Sequence, residues 1–240
     1  MRRAASAFAL AFAALTLAGC ETTAEKSARL ERAAKHVTGV QRGLTITRRS
    51  RAVKIVGTAV VHGAEGTAAI VRVRNVTARA LRAVPLAISV SDARGQTLFR
   101  NDAPGLEGAL VSIPSLPAHG EVAWVDDQLP AGGDPAGVSA QAGAASPAAA
   151  VPSVRVSSLG LSEEGAGGSA VAGTVSNTSA IAQRKLVVFV TARRVGRVVA
   201  AGRAVVPELA GHGSAPFQAF LIGDARGAKL AASAPATTFD

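Results

Sequence analysis

The sequence predicts an all-β protein made of two small antiparallel β-sandwich domains behind an N-terminal leader and stalk. Apolar and polar residues alternate with a period of two in several short segments, such as residues 70–74, which is typical of a sheet with one solvated face. Turn residues separate these segments at short intervals. The same order of strands and turns occurs twice, which indicates two copies of one β domain.

The first 20 residues have the organisation of a bacterial lipoprotein signal. Two arginines precede an apolar run over residues 4–17, which is shorter than the about 20 residues that a membrane-spanning helix needs. The run ends in Leu17-Ala18-Gly19-Cys20, and Cys20 is the only cysteine of the chain. We therefore predict a signal peptide over residues 1–19 and attachment of diacylglycerol and palmitate at Cys20. The alternatives are an ordinary signal peptide with a chance cysteine and a buried N-terminal helix.

Lipidation at Cys20 predicts an exported protein, anchored to the bacterial cell membrane or to the outer membrane. It also uses the only thiol of the chain. No disulfide, cysteine nucleophile or thiolate metal ligand is then expected, so burial alone must stabilise the fold.

The chain is strongly basic. Its formal charge is +10, and removal of residues 1–19 leaves 24 basic and 16 acidic side chains, a charge of +8. Nucleic acid is the usual partner of such a chain, but export removes it from the cytoplasm, so we expect no nucleic acid partner. The expected partners are the membrane and an anionic envelope polymer or an acidic protein. A codon bias that favours Arg over Lys accounts for the charge equally well.

Residues 20–51 are polar and are predicted to form the lipidated N-terminus and a stalk. Two threonines can cap a short helix over residues 24–37, which Gly39 would end. A basic cluster follows, at Arg48, Arg49, Arg51 and Lys54. It either faces an anionic membrane surface or keeps the edge of a strand solvated.

Residues 52–128 are predicted to form the first sandwich. β-branched residues dominate residues 53–61, and residues 84–90 alternate between apolar and other side chains. A tight turn is expected at residues 92–95. Shorter strands are expected at residues 98–99, 109–111 and 121–124.

Residues 129–152 are predicted to be a flexible linker. Almost every residue there is Ala, Gly, Pro or Ser, and such a segment buries too little apolar surface to offset the entropy lost on ordering.

Residues 153–240 are predicted to form the second sandwich, because they repeat the first. At an offset of 102 residues, Val73-Arg74-Asn75 aligns with Val175-Ser176-Asn177. At an offset of 93 residues, the turn at 116–120 aligns with 209–213, and Trp124 then aligns with Phe217.

The segment Gly173-Thr174-Val175-Ser176-Asn177-Thr178-Ser179 resembles the G-x-V-x-N-x-[ST] segment of FxLYD-type domains, small immunoglobulin-like modules of bacterial envelope proteins. In that family an alternating strand, a D-x-x-G turn and a strand with an aromatic residue follow, and residues 84–95 and Trp124 keep that order. The chain departs from the family in having no Tyr. The resemblance implies two immunoglobulin-like sandwiches and a role in the cell envelope, and it implies no functional residues.

Residues that commonly carry catalysis are scattered. No nucleophile elbow, phosphate-binding loop or zinc-protease motif occurs, so we predict neither an enzyme activity nor a cofactor nor a metal. Each of the following was assigned to a turn or loop: His62, His119, His212, Asp126-Asp127, Glu163-Glu164, the glycine-rich residues 165–170, and the sequons at Asn75 and Asn177.

The function expected from these features is that of a lipid-anchored envelope protein acting as a non-enzymatic binding or scaffolding module. The alternative is an envelope solute-binding or hydrolytic accessory component with a site that carries no known motif.

Overall fold

The computed structural model describes residues 43–130, 132–162 and 169–239. All strand pairs within these residues are antiparallel, and the only helix there is a single turn, α1 (Gly108–Val111). The predicted antiparallel all-β fold is confirmed. The predicted signal peptide, Cys20 and the predicted stalk helix lie outside the described residues.

The first half of the fold has two sheets. Its strands are β1 (Val53–Gly63), β2 (Gly66–Asn75), β3 (Ala80–Asp92), β4 (Thr97–Arg100), β5 (Ser112–Leu116), β6 (Glu121–Leu129), β7 (Pro135–Ala142) and β8 (Ser146–Ala148). One sheet has the order β1-β2-β6. In the other sheet the long strand β3 pairs with β4 and β7 along one stretch and with β5 and β8 along the next.

The second half of the fold has one strongly folded-over sheet. Its strands are β9 (Val154–Ser162), β10 (Ser169–Asn177), β11 (Gln183–Arg194), β12 (Arg197–Leu209), β13 (Ser214–Gly223) and β14 (Lys229–Ser233). Their order is β14-β11-β12-β13-β10-β9. Because β12 pairs with β13 only over residues 200–203, the rest of the sheet separates into two layers around a core.

Each half has its own apolar core on the inward face of its strands. Trp124 fills the centre of the first core, and its indole N–H donates a hydrogen bond of 2.7 Å to the carbonyl of Ala109. Leu186, Val188 and Phe217 occupy the second core. Since Trp124 and Phe217 align in the sequence repeat, the two cores place an aromatic side chain at the corresponding strand, β6 and β13.

The turn after β2 is organised by a buried asparagine. The Asn75 carbonyl oxygen Oδ1 accepts a hydrogen bond of 2.9 Å from the N–H of Thr77. Asn75 Nδ2 donates to the carbonyls of Arg79 at 2.7 Å and Pro117 at 2.9 Å. One side chain therefore ties the end of β2 to the turn before β6.

The turn after β10 repeats this arrangement around Asn177. Oδ1 accepts from the N–H of Ser179 at 3.0 Å, and Nδ2 donates to Ile181 at 2.8 Å and to Ala210 at 3.1 Å. The sequence repeat thus has a counterpart in the hydrogen bonding. Because both asparagine side chains are buried and bonded, the two sequons are structural turns.

The two long strands β3 and β11 also share a local irregularity. Ala83 has a φ of 48° and Lys185 a φ of 49°, and the residues are 102 positions apart. Both lie where one residue is left out of the strand pairing without a change of register, opposite Pro114 and Pro207. Proline has no N–H to donate, so the pairing is interrupted at the same place in both halves.

The expectation of a flexible linker over residues 129–152 is wrong for most of that segment. β7 pairs with residues 86–92 of β3, and β8 pairs with residues 80–82. The inward face of β7 carries Val138 and Ala140, which pack against the first core. Small side chains are enough to form this strand because it lies at a sheet edge. Pro135, its first residue, is tolerated there for the same reason.

The two halves share an apolar contact, which the sequence did not predict. β2 was expected to have one solvated face, yet Ile70 and Val71, on opposite faces of β2, are both buried. Phe189 and Ile222 of the second half belong to the same apolar cluster as these residues. The described residues of both halves therefore form one compact unit instead of two bodies joined by a coil.

An ion pair crosses the same contact. Arg203 of β12 donates from Nε to Asp127 Oδ1 of β6 at 2.8 Å, and its backbone N–H donates to Oδ2 at 2.9 Å. The Arg203 side chain is 5% exposed and that of Asp127 is 17% exposed. Removing one partner of such a pair would leave a buried charge without compensation.

Candidate functional site

A group of cationic side chains lies on the outer face of the β1-β2-β6 sheet. Lys54 of β1 is directly opposite Arg74 of β2, and Arg72 is opposite Gly57. The Arg72 side chain extends over Gly57, where a Cβ atom would lie 3.8 Å from its Nη1. The alternation of apolar and basic residues in β2 predicts this outward position for Arg72 and Arg74, and the structure agrees.

The second half extends this group across the boundary between the halves. Arg193 of β11 is directly opposite Lys229 of β14 on the outer face. Arg72 and Arg193 line the same small cavity of about 160 Å³ between the halves. We call the five residues the cationic surface: Lys54, Arg72, Arg74, Arg193 and Lys229.

One carboxylate lies within the cationic surface. Glu121, at the start of β6, accepts from Arg72 Nε at 2.8 Å and from Arg74 Nη2 at 2.8 Å. Burial alone would raise the pKa of Glu121, but the hydrogen bonds and positive charges of the two arginines outweigh it and hold the pKa below its usual range. Glu121 therefore stays ionised and fixes the orientation of both guanidinium groups.

The remaining charges of the cationic surface are not neutralised in this way. Within the described part of the chain, Lys54, Arg193 and Lys229 form no ion pair. Like charges directly opposite each other on neighbouring strands destabilise a sheet. Both Lys54–Arg74 and Arg193–Lys229 are such pairs, and only the first is offset by a carboxylate, through the ion pair of Arg74 with Glu121.

The predicted basic cluster at residues 48–54 divides between two places. Lys54 belongs to the cationic surface, whereas Arg49 lies beside the end of β7, in a bridge with Gly143. Arg49 lines a polar groove of about 570 Å³ together with Arg100 and Asp102. Arg100 Nε and Asp102 Oδ2 are 3.3 Å apart, so this groove is closer to charge balance than the cationic surface.

The prediction of a loop at Asp126-Asp127 is wrong, because both residues lie within β6. As neighbours on a strand, their side chains point to opposite faces. Asp127 binds Arg203, whereas Asp126 is 2% exposed and accepts from the N–H of Gln128 at 3.0 Å. Burial raises the pKa of Asp126 above its usual range. The two carboxylates therefore do not face one another as an acid–base pair.

His119 and His212 lie in turns, as predicted, whereas the prediction of a turn at His62 is wrong because this residue lies in β1 and pairs with Thr67. His119 and His212 have φ values of 53° and 54°, at corresponding positions of the two repeats. His62 Nδ1 is 2.7 Å from Thr67 Oγ1 within the β1–β2 hairpin. Among the described residues, no three His, Cys, Asp or Glu side chains are grouped as metal ligands.

Several predicted features fall on residues for which no structure is described. They are Cys20, Glu163-Glu164 and residues 165–168 of the glycine-rich segment. The described part of the chain contains no helix that is long and apolar enough to cross a membrane.

Comparison of the chain with models of protein families gives no match, and comparison with curated proteins gives none either.

The sequence does not predict that Arg72 and Arg193 line the same cavity. The two residues are 121 positions apart. Arg72 belongs to an alternating strand that by itself predicts a solvated face, whereas Arg193 follows the continuous buried run of residues 186–192. The sequence gives one indication that the two strand faces contact each other. Each face carries a buried apolar residue beside its arginine: Ile70 beside Arg72, and Phe189 beside Arg193.

Proposed function

We propose that the chain is a lipid-anchored protein of the bacterial cell envelope and acts as a non-enzymatic binding module for an anionic partner. The partner is an envelope polymer or the acidic face of another protein, and it binds at the cationic surface. The observation that carries this proposal is the two like-charged cross-strand pairs, Lys54–Arg74 and Arg193–Lys229, which are linked through the cavity that Arg72 and Arg193 both line.

The anchor is proposed on the sequence Leu17-Ala18-Gly19-Cys20. The two acyl chains of a diacylglyceryl group are enough for stable membrane attachment, whereas one chain gives only marginal binding. Attachment at Cys20 restricts the protein to partners in the envelope.

A charged surface of this kind contributes mainly to the rate and selectivity of association. Anionic partners are attracted over about one Debye length, about 8 Å at physiological ionic strength. The hydrogen bonds that Arg72 and Arg74 donate to Glu121 hold both side chains in place, so they lose less conformational entropy when a partner binds.

Charge-reversed variants of the full-length protein in neutral detergent test the binding proposal. Arg193→Glu with Lys229→Glu should weaken binding to poly(glycerol phosphate) at least ten-fold, because two attractive charges become repulsive. The matched control is Arg94→Glu with Arg155→Glu, which changes the net charge equally at two exposed residues elsewhere. Equal losses in both variants would show that only net charge matters and would contradict the proposed site.

The anchor has a separate test. Mass spectrometry of the native protein should find an N-terminal Cys20 that carries lipid, and Cys20→Ala should leave an uncleaved precursor or release the protein from membranes. An unmodified thiol at Cys20 would contradict the lipoprotein proposal and leave the charge argument untouched.

A further inference from the structure

Each half of the fold has a groove between its first strand and its last long strand. In the first half the groove lies between β1 and β7 and has a volume of about 570 Å³. In the second half it lies between β9 and β14 and has a volume of about 460 Å³. Corresponding residues of the repeat line the two grooves: Val53 and Val154, Ile55 and Val156, Ala140 and Ala232, and Ala142 and Ala234.

The first-half groove is partly filled by the chain itself. The segment that leads into β1, residues 44–50, lies along it. The N–H of Ser50 donates a hydrogen bond of 2.9 Å to the carbonyl of Ala142, and Arg49 forms a β-bridge with Gly143. An extended segment thus continues the sheet at the free edge of β7.

In the second-half groove the residues that lead into β9, Val151, Pro152 and Ser153, line one wall, but no backbone hydrogen bond joins them to residues 229–236. The chain enters β9 from β8, and Val151, which corresponds to Ser50, makes no backbone hydrogen bond to Ala234. Within the described residues the carbonyl of Ala234 accepts no hydrogen bond outside the strand pairing. The hydrogen bond that adds a segment in the first half therefore has no counterpart in the second, where Ala234 is 8% exposed.

The side chains that line the second-half groove determine which kind of ligand can bind there. Its walls are small and largely apolar, with Val154 and Val156 on β9 and Ala232 and Ala234 on the β14 side. Val122 of the first half also lines the groove. Backbone groups at a strand edge bind an extended peptide, and alternate small pockets accept small or β-branched side chains.

We propose that the groove between β9 and β14 is a strand-addition site for an extended segment of a partner protein with small or β-branched apolar side chains. A second copy of this chain does not supply the segment, because residues 44–50 of each copy are already held against β7 and Gly43 packs directly against the backbone of Asp102. Glu121, which accepts hydrogen bonds from Arg72 and Arg74 of the cationic surface, also lines this groove, so the two sites adjoin.

A peptide with the sequence of residues 43–51, GLTITRRSR, tests the proposal with the full-length protein. This peptide is the segment that occupies the corresponding groove of the first half. Hydrogen exchange measured by mass spectrometry should show slower amide exchange at residues 230–236 when the peptide is added and no change at residues 135–143. Absence of protection at residues 230–236 would overturn the proposal. Protection there that increases with protein concentration alone would overturn it in favour of a second copy as the occupant.

A pair of matched variants locates the peptide. Ala232→Leu fills the groove and should weaken peptide binding at least ten-fold, whereas Ala140→Leu, at the corresponding position of the first half, should leave binding within two-fold. Thermal unfolding of both variants distinguishes a blocked groove from a damaged fold. Undiminished binding by a folded Ala232→Leu variant would overturn the proposal.

Discussion

At the scale of single residues, two buried asparagines determine how each half turns from its second strand into its third. Asn177 satisfies the N–H of Ser179 and the carbonyls of Ile181 and Ala210 with one side chain. A solvent-exposed turn could use water for these groups, but here the side chain is 2% exposed. The residue at this position therefore influences the stability of the turns at this end of the second half.

Asn177→Ala should lower the free energy of unfolding by about 1–3 kcal/mol, because it leaves buried backbone groups without partners. The neighbouring Ser176→Ala removes only an exposed hydroxyl contact with Ser214 and should change it by less than about 0.5 kcal/mol. Urea denaturation of the two variants checks this, and equal effects would contradict the role assigned to Asn177.

Asp126 gives a prediction on pH. Burial raises its pKa, so the folded state disfavours the ionised carboxylate more than the unfolded state does. The stability that the protonated group contributes is present at pH values below its unfolded pKa and is lost as pH rises through the folded pKa. Asp126→Asn should therefore raise the free energy of unfolding at pH 7 and change it little at pH 3. Denaturation at the two pH values measures this, and lower stability of the variant at pH 7 would contradict it.

At the scale of elements, the sequence predicts strands well where β-branched residues alternate and fails where small residues form an edge. Residues 84–90 alternate clearly and lie in β3, but β7 consists of Pro, Ala, Gly, Val, Ser and Gln and was assigned to a linker. The composition of a segment indicates how much apolar surface its own side chains can bury. It does not report that β3 offers a free edge and a core face on which Val138 and Ala140 can pack.

Limited proteolysis distinguishes the strand from a coil. Residues 135–142 should resist cleavage under native conditions, because their backbone groups are paired with β3. Peptide mapping of the first cleavage products checks this, with residues 43–130 and 169–239 as internal references. Early cleavage within residues 135–142 would show that the segment is a flexible linker after all.

At the scale of the whole molecule, the repeat is visible in the sequence but the contact between its two copies is not. The alternating pattern of β2 indicates a solvated face, and that face is solvated at Arg74 but covered at Ile70. The same contact brings Arg193 to Arg72 and so creates the cationic surface. The candidate site therefore depends on tertiary packing between residues far apart in the chain, which strand patterns cannot show.

The shared contact predicts that the two halves unfold together. Trp124, the only tryptophan, reports on the first core, and far-ultraviolet circular dichroism reports on strands of both halves. The two signals should give coincident urea transitions, since Phe189 and Ile222 of the second half pack with the first core. Two separate transitions would show that the halves are independent domains.

The central claim is that the cationic surface binds an anionic envelope partner, and the salt dependence of that binding tests it most directly. The dissociation constant of the full-length protein for poly(glycerol phosphate) is measured over a range of salt concentrations, for the wild type and for Arg193→Gln with Lys229→Gln. We predict that binding weakens as salt increases and that the double variant shows a shallower dependence, because fewer exposed charges take part. A dissociation constant that is the same at low and high salt, or the same salt dependence in both proteins, would contradict the claim.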